Sequence, residues 1–172
     1  MTSNEEILIG IDPGSRITGY GVLAHTPSSF RVLDFGCIRP PPKASLSERY
    51  LVIFESIEKI LEQYTPHEIA IETQFVHKNP QTALKLGIAQ GVCLIAAKRK
   101  KLSIYGYSPK MVKKKITGTG KASKQQLLHA ISRFLNLKTP PKPQDAADAL
   151  ALAICHAHCR QNILFSHQKF EL

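Results

Sequence analysis

Ile7-Leu8-Ile9-Gly10-Ile11-Asp12-Pro13-Gly14-Ser15 is a branched, apolar run that ends on a carboxylate and a turn. Branched side chains favour an extended strand, and Asp-Pro-Gly-Ser supplies turn chemistry directly after it. Working outward, Thr18 to Ala24 reads as a second strand, with Gly19 and Gly21 allowing close backbone approach. Phe30 to Ile38 reads as a third. The short links between the three predict an antiparallel meander.

Pro40-Pro41-Pro42 breaks the chain, and Ser45-Leu46-Ser47-Glu48 has capping-box spacing. Leu46, Tyr50, Ile53, Phe54, Ile57, Leu61 and Tyr64 then recur at helical spacing, which predicts an amphipathic helix over 46–64 that Pro66 ends. Glu68-Ile69-Ala70-Ile71-Glu72 is a strand with Glu72 at its carboxyl end. Strand, helix and strand make a crossover unit, which requires a parallel pairing. Asn79-Pro80 caps and starts a helix to about Lys98, in which Ala83, Gly87 and Gly91 form a small-residue stripe. That stripe suits a dimer interface or packing against the chain's own core. Leu102 to Tyr107 is the fifth strand. Ser108-Pro109 starts a helix that Gly118-Thr119-Gly120 ends, Ser123 starts another to about Leu137, and Asp145 opens the last, over 145–160. Thr139 to Pro143 reads as a stiff linker. One domain over 1–165 is expected, with 166–172 a flexible tail.

Charge is distributed unevenly over this scaffold. From Thr73 to Gln144 there is no Asp or Glu over 72 residues, and 15 of the 23 Lys and Arg residues lie there. The net charge of +10 implies an acidic partner, nucleic acid before an anionic membrane. Lys110, Lys113, Lys114, Lys115, Lys121 and Lys124 surround the Gly-Thr-Gly loop, as a phosphate-following surface or a solvated helix face. No run has the apolar length of a transmembrane helix. The first six residues lack the basic region of a signal peptide, so a cytoplasmic protein with no membrane partner is expected. The four cysteines are read as reduced thiols.

Four acids border the cationic stretch or precede it. Asp12 ends the first strand and Glu72 the fourth, while Asp145 and Asp148 are spaced i, i+3 on one face of the last helix. Neighbouring first and fourth strands would set Asp12 beside Glu72 at the carboxyl edge, where open α/β sheets gather their sites. Each acid alone has a plainer explanation: a turn former, a strand reaching solvent, an N-cap, a helix-dipole complement. Together they call for a hard cation, Mg²⁺ or Mn²⁺. Two such ions about 3.5–4 Å apart activate water and stabilise the leaving oxygen in phosphodiester hydrolysis.

These motifs, namely Ile9 to Ser15 with Thr18-Gly19-Tyr20-Gly21, Ala70-Ile71-Glu72, Asn79 through Gly91, and Asp145-Ala146-Ala147-Asp148-Ala149-Leu150-Ala151, occur in the order and spacing of one family. Over about residues 7–163 the chain resembles the crossover junction endodeoxyribonuclease RuvC family. The resemblance implies an α/β, RNase H-like fold: a five-stranded mixed sheet, three strands antiparallel and two parallel, flanked by helices. It implies a homodimer that binds four-way Holliday junction DNA and nicks two strands of like polarity by Mg²⁺-dependent hydrolysis. The ends left are 5′-phosphate and 3′-hydroxyl, and RuvA and RuvB are the implied working partners. Asp12, Glu72, Asp145 and Asp148 fall on the family's catalytic acids. Phe75 matches an aromatic that stacks at the junction opening, and Lys113 and Lys124 match basic residues near the scissile phosphate. Read alone, Phe75 either stacks on an unpaired base or fills the core. Pro40-Pro41-Pro42-Lys43 departs from the family without touching the acids.

Other signals lead elsewhere and are set aside. In Cys155-His156-Ala157-His158-Cys159 the two cysteines share a helix face and the histidines do not, so four zinc ligands cannot converge. Gly118-Thr119-Gly120-Lys121 has the wrong spacing for a phosphate-binding P-loop. The alternatives to a junction-cutting nuclease are a non-catalytic junction-binding protein, a related nuclease acting on RNA, and an actin-like ATPase, which 172 residues cannot accommodate.

Overall fold

Alternation along the central strands decides which helices cover which face. The computed structural model describes residues 5–73 and 79–160. Strands β1 (Glu6–Asp12), β2 (Thr18–Thr26) and β3 (Ser29–Ile38) pair antiparallel, and β1 also pairs in parallel with β4 (Glu68–Glu72), which pairs in parallel with β5 (Ser103–Tyr107). The spatial order is β3-β2-β1-β4-β5, the expected mixed sheet. Ile9, Ile11, Val22, Ile69 and Ile71 point to one face, where they meet Ile53, Ile57 and Leu61 of α1 (Leu46–Tyr64) and Cys93, Ala96 and Ala97 of α2 (Pro80–Arg99). Gly10, Gly21 and Ala70 occupy the other face in one row across three strands, since Gly10 is in register with both.

That row is a floor made of the smallest side chains, and the last helix, α5 (Gln144–Arg160), lies on it. A Cβ on Gly10 would stand 1.9 Å from the Ala149 carbonyl oxygen, and one on Gly19 would stand 2.0 Å from that of Asp145. No side chain fits there, so helix backbone rests directly on strand backbone. The same face carries α3 (Pro109–Thr117) and α4 (Lys124–Phe134), whose Val112, Ile116, Leu127 and Ile131 close over the flank of α5.

Far from the acids, α5 is pinned by a polar network. His156 is fully buried; its Nδ1 lies 2.7 Å from the Tyr107 hydroxyl and its Nε2 lies 2.9 Å from Glu68 Oε2. Arg160 bridges Glu68 at 3.0 Å and also pairs with Glu6. Every polar atom of the buried imidazole thus has a partner, as burial requires. Cys155 and Cys159 are buried free thiols that interact with each other, and His156 faces away from them toward β4 and β5.

The helix starts were the most legible elements. Ser45 and Ser123 form full capping boxes, Asn79 accepts from Gln81 and Thr82, and Gly118 closes α3 in the left-handed region at φ 81. Two ends differ from expectation. Helix α4 stops at Phe134 rather than near Leu137, because Asn136 adopts φ 51 and leaves the helix. Asp145 does not open α5; Gln144 precedes it in the helix, and the Pro143 carbonyl accepts from Ala147 N. Asp145 is therefore not a cap. Phe75 and the 166–172 tail lie outside the described residues.

Candidate active site

The parallel β1–β4 pairing sets Ile11 opposite Ile71, so the next residues, Asp12 and Glu72, end adjacent strands side by side. The turn behind Asp12 is tied shut by Thr18, whose hydroxyl donates to the Gly14 carbonyl at 2.8 Å and faces Gly14 N at 3.3 Å. Glu72 is held through its backbone: Gln90 Nε2 donates to its carbonyl at 3.3 Å, and Thr73 N donates to the Tyr107 carbonyl at 2.9 Å. Helix α5 runs antiparallel to β1, so its first turns overhang this edge. The Asp145 carbonyl sits over Gly19, which is the register partner of Asp12. The sequence-predicted acids are thus gathered at one edge of the sheet.

Burial is the first influence on these carboxyls, and their mutual repulsion the second. Asp12 is pushed up to about 8 by burial and then by the charges of Glu72, Asp148 and Asp145. Glu72 is pushed up to about 7 by burial and then by Asp148. Asp148 is raised by burial, against the pull of a hydrogen bond from Gln144 and the charges of Lys124 and Lys113. Acids this poorly solvated favour any cation that can replace lost water.

No group of three or more His, Cys, Asp or Glu among the described residues already has the arrangement of a finished metal cage. The donor set still fits a hard ion, because it offers carboxylate oxygens alone, and three of the four acids have raised affinity for positive charge.

The cationic partners divide sharply. Lys113 of α3 and Lys124 of α4 line a cleft of about 190 Å³ together with Glu72, Asp148, Pro109, Val112 and Leu127. Lys110, Lys114 and Lys121 are exposed and do not line it. The stem of Lys110 instead packs against Gly120 of the Gly-Thr-Gly loop. Gln144 escaped the sequence reading: its amide donates to Asp148 Oδ1 at 3.0 Å. Its signal was the i, i+4 Gln–Asp spacing, hidden because the last helix was read as opening one residue later, at Asp145.

The α2 stripe does not pack inward. Among the described residues, a Cβ on Gly87 or Gly91 would meet nothing within 4 Å. The residues of α2 that face the core are Ala89, Cys93, Ala96 and Ala97. Leu84, Ile88 and Ile95, on the arc that holds Gly87 and Gly91, are 65%, 41% and 58% exposed.

Comparison with known proteins agrees with this architecture. Residues 8–156 match the family model described as crossover junction endodeoxyribonuclease RuvC. The chain is 52% identical over 155 residues to the crossover junction endodeoxyribonuclease RuvC of Protochlamydia amoebophila, covering 90% of this chain and 92% of that one. Against the protein of the same name from Legionella pneumophila it is 43% identical over 157 residues, covering 91% and 90%. Among solved structures, T. thermophilus RuvC in complex with a Holliday junction substrate superposes with a TM-score of 0.90 at 31% identity, covering 96% of this chain and 99% of that one. The acids at one sheet edge, the helix seated on a glycine floor and the match along nearly the whole length agree: the chain belongs to the crossover junction endodeoxyribonuclease RuvC family, a family of metal-dependent DNA-cutting hydrolases with an RNase H-like fold.

Proposed function

We propose that this protein resolves four-way Holliday junctions in recombination and repair, as a homodimer that makes two symmetric nicks. The observation that carries this reading is the joint position of Asp12, Glu72, Asp145 and Asp148 at one sheet edge, with Lys113 and Lys124 across the same cleft from Glu72 and Asp148. In this reading the four acids are catalytic and hold Mg²⁺, with Mn²⁺ as a substitute, two ions per site. The ions, when bound, supply an activated water and a stabilised leaving oxygen. Lys113 and Lys124 draw the scissile phosphodiester into the cleft and offset its charge. Gln144 orients Asp148. Water adds to phosphorus, the bond to the 3′ oxygen breaks, and 5′-phosphate and 3′-hydroxyl ends remain. Lys110, Lys114 and Lys121 contact the DNA backbone more distantly, and Phe75 stacks at the opened junction.

Two symmetric nicks need two sites related by a two-fold axis. The exposed Leu84–Gly87–Ile88–Gly91–Ile95 arc of α2 supports an isologous helix-to-helix contact, with the glycines allowing the two backbones to approach. In the same reading residues 1–165 work as one nuclease domain in the cytoplasm, alongside the RuvA–RuvB branch-migration proteins. No helix among the described residues is long and apolar enough to cross a membrane.

The test is cleavage of a mobile four-way junction in Mg²⁺, with linear duplex and structured RNA as controls, reading all strands at nucleotide resolution. Paired symmetric nicks in the junction alone are expected. Equal cutting of duplex or RNA would replace the junction reading with a general or RNA-directed nuclease. Asp12→Asn should keep junction binding while cutting falls by more than the ~100-fold typical of losing a group that merely orients a metal ligand. An unchanged rate would remove Asp12 from the site.

A further inference from the structure

The triple proline, which the family resemblance left unexplained, forms one wall of a second cationic cleft. This cleft holds about 420 Å³ and is lined by Arg16, Ile17, Arg39, Pro40, Pro42 and Arg49. Arg16 lies in the turn that follows Asp12, and Arg39 follows β3, whose last residue Ile38 pairs with Thr18. The cleft therefore opens at the sheet edge that holds the acids. The Cys37 thiol lies within electrostatic reach of both Asp145 and Arg39, which places the cleft beside the acids on their β3 side. Lys113 and Lys124 flank the acids on the other side, where α3 and α4 follow β5.

The arginines are prepared for an anion. Arg49 is fixed by backbone: its Nε donates to the Ala44 carbonyl at 3.0 Å and its Nη2 donates to the Pro42 carbonyl. Ala44 N in turn donates to the Pro41 carbonyl at 3.1 Å, so the proline segment curls around the guanidinium. Prolines have restricted φ and no N–H, which keeps this wall stiff and free of competing donors. Among the described residues none of Arg16, Arg39 and Arg49 pairs with a carboxylate, whereas Arg31, Arg99 and Arg160 each do. Three unneutralised guanidinium groups between apolar Ile17 and proline walls concentrate positive potential. Their planar forks match the paired oxygens of a phosphate.

We propose that the Arg16–Arg39–Arg49 cleft binds a backbone phosphodiester of the DNA strand that crosses the acids, on the side opposite Lys113 and Lys124. The scissile segment is then gripped on both flanks, and its position over the acids is fixed by two phosphate contacts rather than one. This rests on the reading of the chain as a junction-cutting nuclease. A free phosphate ion has the same chemistry, so the test separates the two.

The experiment measures junction affinity by fluorescence anisotropy across a salt series, in full-length Asp12→Asn protein with Mg²⁺, with and without Arg16→Gln and Arg39→Gln. Arg49 stays in place because it organises the proline wall, and Arg16→Gln alone serves if the double variant melts early. The expected result is an affinity about tenfold weaker at moderate salt and a log–log salt slope reduced by ~1–2, since each phosphate contact contributes about 0.9. Methylphosphonate at single backbone positions should then weaken the arginine-intact protein at one position where it leaves the double variant unaffected. An unchanged affinity and slope, in a protein whose arginine-intact form binds junctions, overturns the cleft alone. Failure of that form to bind junctions overturns the junction reading and the cleft with it. Inorganic phosphate that competes with DNA only while the arginines are present, without a methylphosphonate-sensitive position, would assign the cleft to the free ion and overturn the proposal.

Discussion

Helices α5 and α2 are similar strings of alanine, leucine and isoleucine, yet one is buried and the other leaves a face uncovered. Twelve of the 17 residues of α5 are buried, against four of the 20 in α2. The difference lies in where the glycines stand. For α5 they stand in the sheet beneath it, at Gly10, Gly19 and Gly21, so the helix sinks until backbone meets backbone. For α2 they stand on the helix, at Gly87 and Gly91, and no described residue comes within 4 Å of a Cβ placed on either. A glycine thus marks close approach only when its partner is present. The α5 contact carries Asp145 and Asp148 to the strand ends, while the α2 arc serves the proposed assembly of two copies.

The sharpest way to break this comparison is to fill the α5 floor. Gly10→Val places a branched side chain where even a Cβ would stand 1.9 Å from the Ala149 carbonyl. Backbone cannot yield as a side-chain tip can, so a loss above the ~1–3 kcal/mol usual for overpacking is expected. That is a large part of a typical domain's ~5–15 kcal/mol, and urea denaturation reads it directly. A variant as stable as the parent would mean that α5 is not seated as described.

At α2 the expected loss is of assembly and not of folding. Leu84→Glu puts a charge on a 65% exposed position, so its melting temperature should stay within a few degrees of the parent's. Sedimentation should shift from dimer to monomer, and paired nicking should become single and uncoordinated. A variant that remains dimeric would move the interface elsewhere.

The seat of α5 also predicts how the protein responds to pH. Asp12 is raised from 3.8 to about 8 and Glu72 from 4.5 to about 7. Between those values the folded state binds more protons than the unfolded chain. Without divalent cation, stability is therefore full below about pH 4 for these two groups and is lost as pH rises toward about 8. The melting temperature of metal-free protein should fall by a few degrees between about pH 5 and pH 8. Mg²⁺ should restore more at the upper end, because an ion bound only by the folded state stabilises it. A metal-free melting temperature that does not change with pH would contradict the burial of these acids.

The smallest effect separates the two kinds of glycine most cleanly. Gly87→Ala adds a methyl into open space on a helix, which should stabilise the isolated subunit by ~0.5–1 kcal/mol. The same methyl should weaken self-association, measured by dilution. A gain in both would show that the α2 backbones do not approach closely at residue 87.

The sheet and the acid placement were legible because each rests on a local pattern. The branched run ending at Asp12, the Ile-Ala-Ile run ending at Glu72 and the i, i+3 spacing of Asp145 and Asp148 each place a carboxylate at an element's end or on one face. The crossover between β1 and β4 then puts Asp12 beside Glu72. Gln144 was missed because it stands at a boundary, and boundaries depend on which carbonyl first accepts a helical hydrogen bond. By charge and spacing the six lysines around the Gly-Thr-Gly loop look alike; the family resemblance singled out Lys113 and Lys124, and the fold sets those two in the cleft with Glu72 and Asp148.

By itself, the sequence determined the element order, the caps, the two periodicities and the four acids, because hydrogen bonding and side-chain alternation act over a few residues. Only the tertiary structure decided that Gly10, Gly21 and Ala70 share one row, that the α2 stripe faces outward, and that Arg16, Arg39 and Arg49 meet around a proline wall. Those meetings join residues far apart in the chain, and the close packing of backbone on backbone, not any local preference, selects them.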